Sequence, residues 1–271
     1  MSPMSRPADL GAPFDLAGGD VRFHRDHGYV KVRQALPPVV LDRYRDEIST
    51  RVQESTAGRR PLEQRSVYDR AFLQVTNLWT RSALVKEFVM GRRLARIAAE
   101  LMGCEGVRLY HDQALYKEPG GGYTPWHADQ YYWPLDTDRA VTAWIPLQET
   151  PLEMGPLAFA SGSFRLHEGR DQPIGEESER VLQRSLRDCK VDEGPFALGD
   201  VSFHAGWTFH RAGPNRTDRP RAVMTIIYMD RDMRLAEPKN ANQRIDWQAW
   251  CPDVKPGEII DAPLTPVVYQ G

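Results

Sequence analysis

The chain has 271 residues, a formal charge of −2 from 35 basic and 37 acidic side chains, and only three cysteines, Cys104, Cys189 and Cys251. The near-neutral balance without a dense basic run argues against a nucleic-acid partner. No run approaches the ~18 consecutive apolar residues of a membrane span, and the scattered cysteines make neither a disulfide framework nor a CxxC zinc pair. With no apolar signal core near Met1, the expectation is a cytoplasmic enzyme or binding protein for a small molecule, a monomer or homodimer with no membrane partner.

Residues 1–19, rich in Pro, Gly and Asp, read as a flexible N-terminal arm, and residues 20–271 as a single domain, since no linker-like shift in composition interrupts them. Phe23 to Val30 reads as an amphipathic opening that leads into a short apolar strand, with His24 and His27 expected to be exposed. Pro37-Pro38 opens a helix in which Leu41, Tyr44, Ile48 and Val52 recur at helical spacing. Residues 59–80 read as irregular. A helical segment follows, capped by Thr80 or Ser82, with an apolar set running from Val85 to Leu101 and a stop at Gly103.

The β-rich half begins at Val107. Alternation over residues 107–117 puts Leu109, His111, Gln113, Leu115 and Lys117 on one face and Tyr110, Asp112, Ala114 and Tyr116 on the other. Gly120-Gly121-Gly122 lacks the Lys-Ser/Thr and helix start of a phosphate cradle and reads as a turn that delivers Trp126-His127. After Asp129 comes the aromatic cluster Tyr131-Tyr132-Trp133, read as one wall of a pocket for an apolar or ring-bearing ligand. A strand over Val141–Leu147 and another near Gly155–Ser163 follow. Residues 165–190, with Glu176, Glu177 and Glu179, read as a solvated charged insertion. The tail beyond Asp230 reads as a wrap around the body or toward a second subunit.

His127 and Asp129 stand two apart, so on an extended strand their side chains share a face and can hold one metal ion. His210, 83 residues later, is the best-placed third ligand; His204 competes and His167 is a weaker candidate. Two imidazoles and one carboxylate on one face of an octahedron is the non-haem Fe(II) oxygenase arrangement. Arg221 follows His210 by eleven residues at the head of the apolar run to Met229, and its guanidinium suits bidentate capture of a carboxylate.

In Lys117-Glu118-Pro119-Gly120, Pro125–Asp129, Trp144, Gly155-Pro156-Leu157, Gly162-Ser163, Gly199-Asp200-Val201, Pro214-Asn215 and Arg221, from about residue 20 to about 230, the sequence resembles the phytanoyl-CoA dioxygenase family of Fe(II)/2-oxoglutarate-dependent oxygenases. That resemblance, through Pro214-Asn215 and the offset of Arg221, favours His210 over His204. It implies a mainly β fold, a double-stranded β-helix (jelly roll) with supporting N-terminal helices. It also implies Fe(II) held by His127, Asp129 and His210, with 2-oxoglutarate anchored by Arg221, and Trp144 packing on it. A polar residue of the 107–117 strand would contact the cosubstrate, Gln113 first and Lys117 second. The implied reaction consumes O2, releases succinate and CO2, and hydroxylates, or otherwise oxidises by desaturation, ring closure or epimerisation, an unactivated C–H bond of a small organic molecule, a natural-product or other secondary-metabolite intermediate. Asp129 disfavours halogenation, because related halogenases carry a small residue there. Two alternatives are a jelly-roll metalloenzyme that does not use 2-oxoglutarate, and a catalytically silent small-molecule binder.

Overall fold

The computed structural model describes residues 10–271; residues 1–9 of the expected N-terminal arm lie outside the described residues. Leu10 is buried in the main core, and the Arg93 N–H donates to its carbonyl.

The N-terminal part is helical. It comprises α1 (Gly18–His27), β1 (Tyr29–Val32), α2 (Pro38–Thr56), α3 (Val67–Ala71), β2 (Leu73–Thr76), α4 (Ala83–Val89) and α5 (Arg92–Met102). The helix α2 buries Val40, Leu41, Tyr44, Ile48 and Val52, the stripe its spacing predicts. The expected single helix after Ser82 is two, broken at Gly91, where a Cβ would lie 3.0 Å from the Leu10 side chain and 3.1 Å from the Phe88 carbonyl oxygen. His24 is buried, against the expectation of an exposed histidine, because α1 packs on α5 and turns this side chain inward. Residues 59–80 are more ordered than their irregular reading, since they supply α3 and β2.

The β part runs β3 (Gly106–Tyr116), β4 (Thr124–His127), β5 (Ala140–Pro146), β6 (Leu157–Ala160), α6 (Glu176–Ser185), β7 (Val191–Glu193), β8 (Val201–Ala205), β9 (His210–Ala212), β10 (Val223–Asp230), α7 (Ala241–Trp250) and β11 (Val267–Gln270). All strand pairings are antiparallel. A major sheet has the order β1-β8-β5-β10-β3-β11, with β2 also on β3, and a minor sheet has the order β4-β9-β6-β7. This is the expected double-stranded β-helix architecture. Helices α2, α4 and α5 share a core with one face of the major sheet, through Leu41, Ile48, Phe88 and Ile97 against Leu109, Ala143, Phe203 and Ile226. With that face covered, the other looks toward the minor sheet, and the cavity described below lies between the two.

Strict alternation fails once on β3. The register steps from Ile227 opposite His111 to Tyr228 opposite Leu109, so Tyr110 is the extra residue of a β-bulge. Its ring therefore sits 5.2 Å from the His111 ring instead of on the opposite face, while Ala114 and Tyr116 join the helix-side core. The cysteines are free thiols. Among the described residues no helix is long and apolar enough to cross a membrane.

Candidate active site

The two histidines of the expected metal triad are direct cross-strand partners. His127 ends β4, His210 begins β9, and they pair in register, which places their rings 4.2 Å apart between centroids. Each ring is turned the same way: Nδ1 hydrogen-bonds a backbone carbonyl two residues back, Pro125 for His127 at 2.8 Å and Thr208 for His210 at 2.9 Å. With Nδ1 carrying the proton as donor, Nε2 presents a lone pair. Asp129 opens the short turn after β4, and its Oδ1 lies 3.7 Å from both Nε2 atoms.

The ligand atoms of His127, Asp129 and His210 all lie within 4.8 Å of one another. Two neutral imidazole nitrogens and one carboxylate oxygen fit a borderline divalent metal of the iron type. Burial pushes the pKa of His127 and of His210 down to about 4. Burial alone would raise the Asp129 carboxyl, but His210, His204 and His127 around it hold it well below the usual range. The site is thus in its ligating protonation state at neutral pH.

The second oxygen of Asp129 is held by the opposite sheet. Oδ2 accepts from the Thr142 hydroxyl at 2.9 Å and lies 3.2 Å from His204 Nε2; Thr142 and His204 are themselves register partners on β5 and β8. His204 therefore orients the carboxylate from behind. Thr142 was not foreseen, although it stands on the same strand face as Trp144. From the side, the Trp126 N–H of edge strand β4 donates to the buried Glu179 carboxylate at 2.7 Å. The 165–190 insertion is thus not merely solvated: α6 covers a sheet edge beside a ligand.

Arg221 lies two residues before β10 and is 2% exposed. It forms a bridge with Lys117, the two residues exchanging both backbone hydrogen bonds. The Pro214-Asn215 pair clips this turn: the Asn215 amide donates to the Lys117 carbonyl at 3.1 Å and to the Arg219 carbonyl at 2.7 Å. The guanidinium lies against Trp144, 5.5 Å from its ring centroid, and donates through Nη1 to the Gly155 carbonyl. Gly155 has φ +69°, and a Cβ there would meet the Gly213 carbonyl oxygen at 2.3 Å, so only glycine fits. Among the described residues, two buried donors on this side have no partner, Arg221 Nε and Trp144 Nε1, which marks a place for an acceptor ligand.

Lys117 is fully buried and its ammonium donates to the Gly122 carbonyl and the Thr124 hydroxyl. Burial and the neighbouring Arg221 push its pKa down to about 6. Of the two residues expected from this strand, Gln113 lines the cavity and Lys117 ties the Gly120–Gly122 turn.

The cavity has a volume of about 300 Å3 and contains His127, Asp129, His210, Arg221, Trp144 and Gln113 on one wall set. Its remaining walls come from segments with weaker sequence signals: Phe72, Gln74 and Thr76 around β2, Tyr132 and Trp133 after the triad, and Asn242, Ile245, Asp246 and Trp250 of α7. The aromatic cluster does reach the pocket, through Tyr132 and Trp133; the carbonyl of Tyr131 instead accepts from Asn240 and Gln243 near α7. The tail packs on the same molecule and closes the cavity.

Several known proteins are similar to this chain. The chain is 23% identical to the 1-deoxypentalenic acid 11-beta-hydroxylase of Streptomyces exfoliatus, over 92% of each chain. It is 28% identical to a probable alpha-ketoglutarate-dependent hypophosphite dioxygenase of Stutzerimonas stutzeri, over 55% of this chain and 54% of that one, so this match spans about half the relative's length. Among solved structures it is similar to the non-haem alpha ketoglutarate dependent carbocyclase SnoK from nogalamycin biosynthesis, at a TM-score of 0.78 and 26% identity over 96% of this chain and 100% of that one. The sequence model of the phytanoyl-CoA dioxygenase family matches residues 24–223, most of the chain and both ligand strands. The chain belongs to the phytanoyl-CoA dioxygenase family of non-haem iron, 2-oxoglutarate-dependent dioxygenases.

Proposed function

We propose that the protein hydroxylates, or otherwise oxidises, an unactivated C–H bond of a small ring-bearing organic molecule of secondary metabolism. The observation that carries this reading is that the triad and the partnerless donors beside Arg221 and Trp144 belong to one cavity whose remaining walls include Phe72, Tyr132, Trp133 and Trp250. His127, Asp129 and His210 would hold Fe(II), and Arg221, with Trp144 and Gln113, would hold 2-oxoglutarate. Bound there, the pair activates O2 and supplies the oxidising equivalent for C–H cleavage, with release of succinate and CO2.

The chain's own part is positioning. The Pro125 and Thr208 carbonyls fix the imidazole tautomers, Thr142 and His204 fix the carboxylate, and the β10 turn fixes the guanidinium. Tyr132, Trp133 and Trp250 offer flat apolar contact that suits a ring better than a small inorganic anion such as hypophosphite. The similarity to a hydroxylase of 1-deoxypentalenic acid and to a carbocyclase from nogalamycin biosynthesis points the same way. That the protein acts as a monomer or homodimer in the cytoplasm belongs to the same proposal.

The test is an anaerobic titration of metal-free protein with Fe(II) and then 2-oxoglutarate, monitored for the visible metal-to-ligand charge-transfer band of the chelate. The band is expected in the wild type and lost in Arg221→Ala. Metal binding without the band would overturn the 2-oxoglutarate assignment; no metal binding would overturn the whole reading.

A further inference from the structure

The wall of the cavity built by β3 and α7 carries a second polar constellation that neither the metal triad nor the Arg221 corner uses. His111 is 5% exposed, and its Nδ1 is buried without a hydrogen-bond partner. Its ring is clamped: it stacks on Trp250 at 5.1 Å and 27° and meets Trp133 edge-on at 6.5 Å and 81°. A buried imidazole nitrogen without a partner costs stability, so its retention on a cavity wall calls for a ligand. Asp246, one turn before Trp250, borders the same cavity and accepts from the Tyr110 hydroxyl at 3.0 Å through Oδ2. Tyr110 is the bulge residue next to His111, so the two polar groups share both neighbours, Tyr110 and Trp250.

We propose that His111 and Asp246 are the specificity-determining pair of this cavity and bind a hydroxyl group carried by the ring-bearing substrate. This rests on the function proposed above and names the handle its substrate must carry. A hydroxyl both donates and accepts, which matches an imidazole nitrogen and a carboxyl oxygen on one cavity. An amine is a poorer match, because burial pushes the Asp246 carboxyl up to about 7 despite the Tyr110 and Trp250 contacts that lower it, so the carboxyl is only partly ionised at neutral pH. Trp250 and Trp133 flank His111 and, with Tyr132 on the same cavity, supply the ring-stacking surface. Both residues lie outside the iron triad and make no hydrogen bond to it, so they select substrate without holding the metal. The bulge on β3 is what allows the arrangement: with unbroken alternation Tyr110 would face the helices and Asp246 would lose its anchor.

The test uses protein reconstituted anaerobically with Fe(II) and 2-oxoglutarate, with 2-naphthol and naphthalene as probes and tryptophan fluorescence as the binding readout. Wild type is expected to prefer 2-naphthol at least tenfold. Asp246→Asn and His111→Phe are expected to weaken 2-naphthol at least tenfold, to leave naphthalene within twofold, and to leave the charge-transfer band unchanged. His111→Phe keeps the stacking and removes the nitrogens; Asp246→Asn keeps the size and removes the carboxyl. Failure of wild type to prefer 2-naphthol overturns the inference, as does equal weakening of both probes in the variants, which would mean a packing role alone. Absence of the charge-transfer band in wild type would instead sink the cofactor assignment, which separates the two failures.

Discussion

Asp129 divides its two oxygens between two jobs, and His204 defines the division. Oδ2 lies 3.2 Å from His204 Nε2, whereas Oδ1 lies 3.7 Å from the Nε2 atoms of His127 and His210. His204 lies three residues after the start of β8 and competes with His210 on sequence grounds, but although its ring is 4.3 Å from that of His210, the structure gives it Oδ2 and leaves Oδ1 to the other two imidazoles. Removing such an outer partner typically costs roughly 10–100-fold in metal affinity. We therefore expect His204→Leu to weaken Fe(II) binding by that factor in an anaerobic titration, while His210→Ala abolishes it. Complete loss in His204→Leu with Fe(II) retained in His210→Ala would exchange their roles.

Arg221 sits in a buried corner with Nε unpartnered among the described residues, and burial pushes its pKa down to about 9, still largely cationic at neutral pH. A lysine keeps the charge and loses the planar fork. Hydrogen bonds to charged groups contribute about 1.5–3 kcal/mol, so Arg221→Lys should raise the half-saturating 2-oxoglutarate concentration by roughly 10–100-fold. Fe(II) binding alone should be unaffected, because Arg221 makes no hydrogen bond to the triad. A normal 2-oxoglutarate titration in this variant would place the cosubstrate elsewhere.

Glu179 ties α6 to the strand that carries His127. The residue is 9% exposed, and its carboxylate accepts from the Trp126 N–H. Glu179→Leu leaves that buried donor unpaired, at a cost of about 1–3 kcal/mol, and loosens His127. Lower thermal stability and weaker Fe(II) binding are both expected, and Glu179→Gln, which keeps an acceptor oxygen, should recover most of both. A leucine variant as stable as wild type would show that α6 does not brace the site.

What could be read from the chain divides along local and non-local lines. The His127/Asp129 spacing and the helical stripe of α2 are short-range patterns; the stripe emerges as read, and the two ligands do meet, but across a turn that Asp129 opens and not on one continuous strand. Arg221 and His210 needed a family pattern, since nothing local ties residues 127, 210 and 221 together. The bulge at Tyr110 could not be read, because it depends on the register between β3 and β10. The contribution of α7 to the cavity was hidden for the same reason: Asp246 and Trp250 reach His111 only through tertiary packing. Glu179 was masked by its company, since a helix start with Glu176 and Glu177 looks solvated, and one of the three carboxylates turns inward only because β4 offers an open edge.

His24 offers a pH test away from the active site. It is 7% exposed, and burial, reinforced by the charge of His204, pushes its pKa from 6.5 to about 4. Between those values the unfolded chain binds more protons than the folded one, so stability is full above about pH 6.5 and declines as pH falls toward 4. For a shift of this size the decline reaches about 2 kcal/mol at pH 5. Asp112 acts in the opposite sense: burial pushes it up to about 7, so its contribution is present at low pH and is lost as pH rises through that value. His24→Phe removes the first effect and leaves the second. Urea unfolding of wild type and His24→Phe at pH 7.5 and pH 5 should therefore show the variant losing about 2 kcal/mol less than wild type on acidification. Equal losses in the two proteins would mean that His24 takes up its proton without unfolding cost, and that α1 opens locally to admit it.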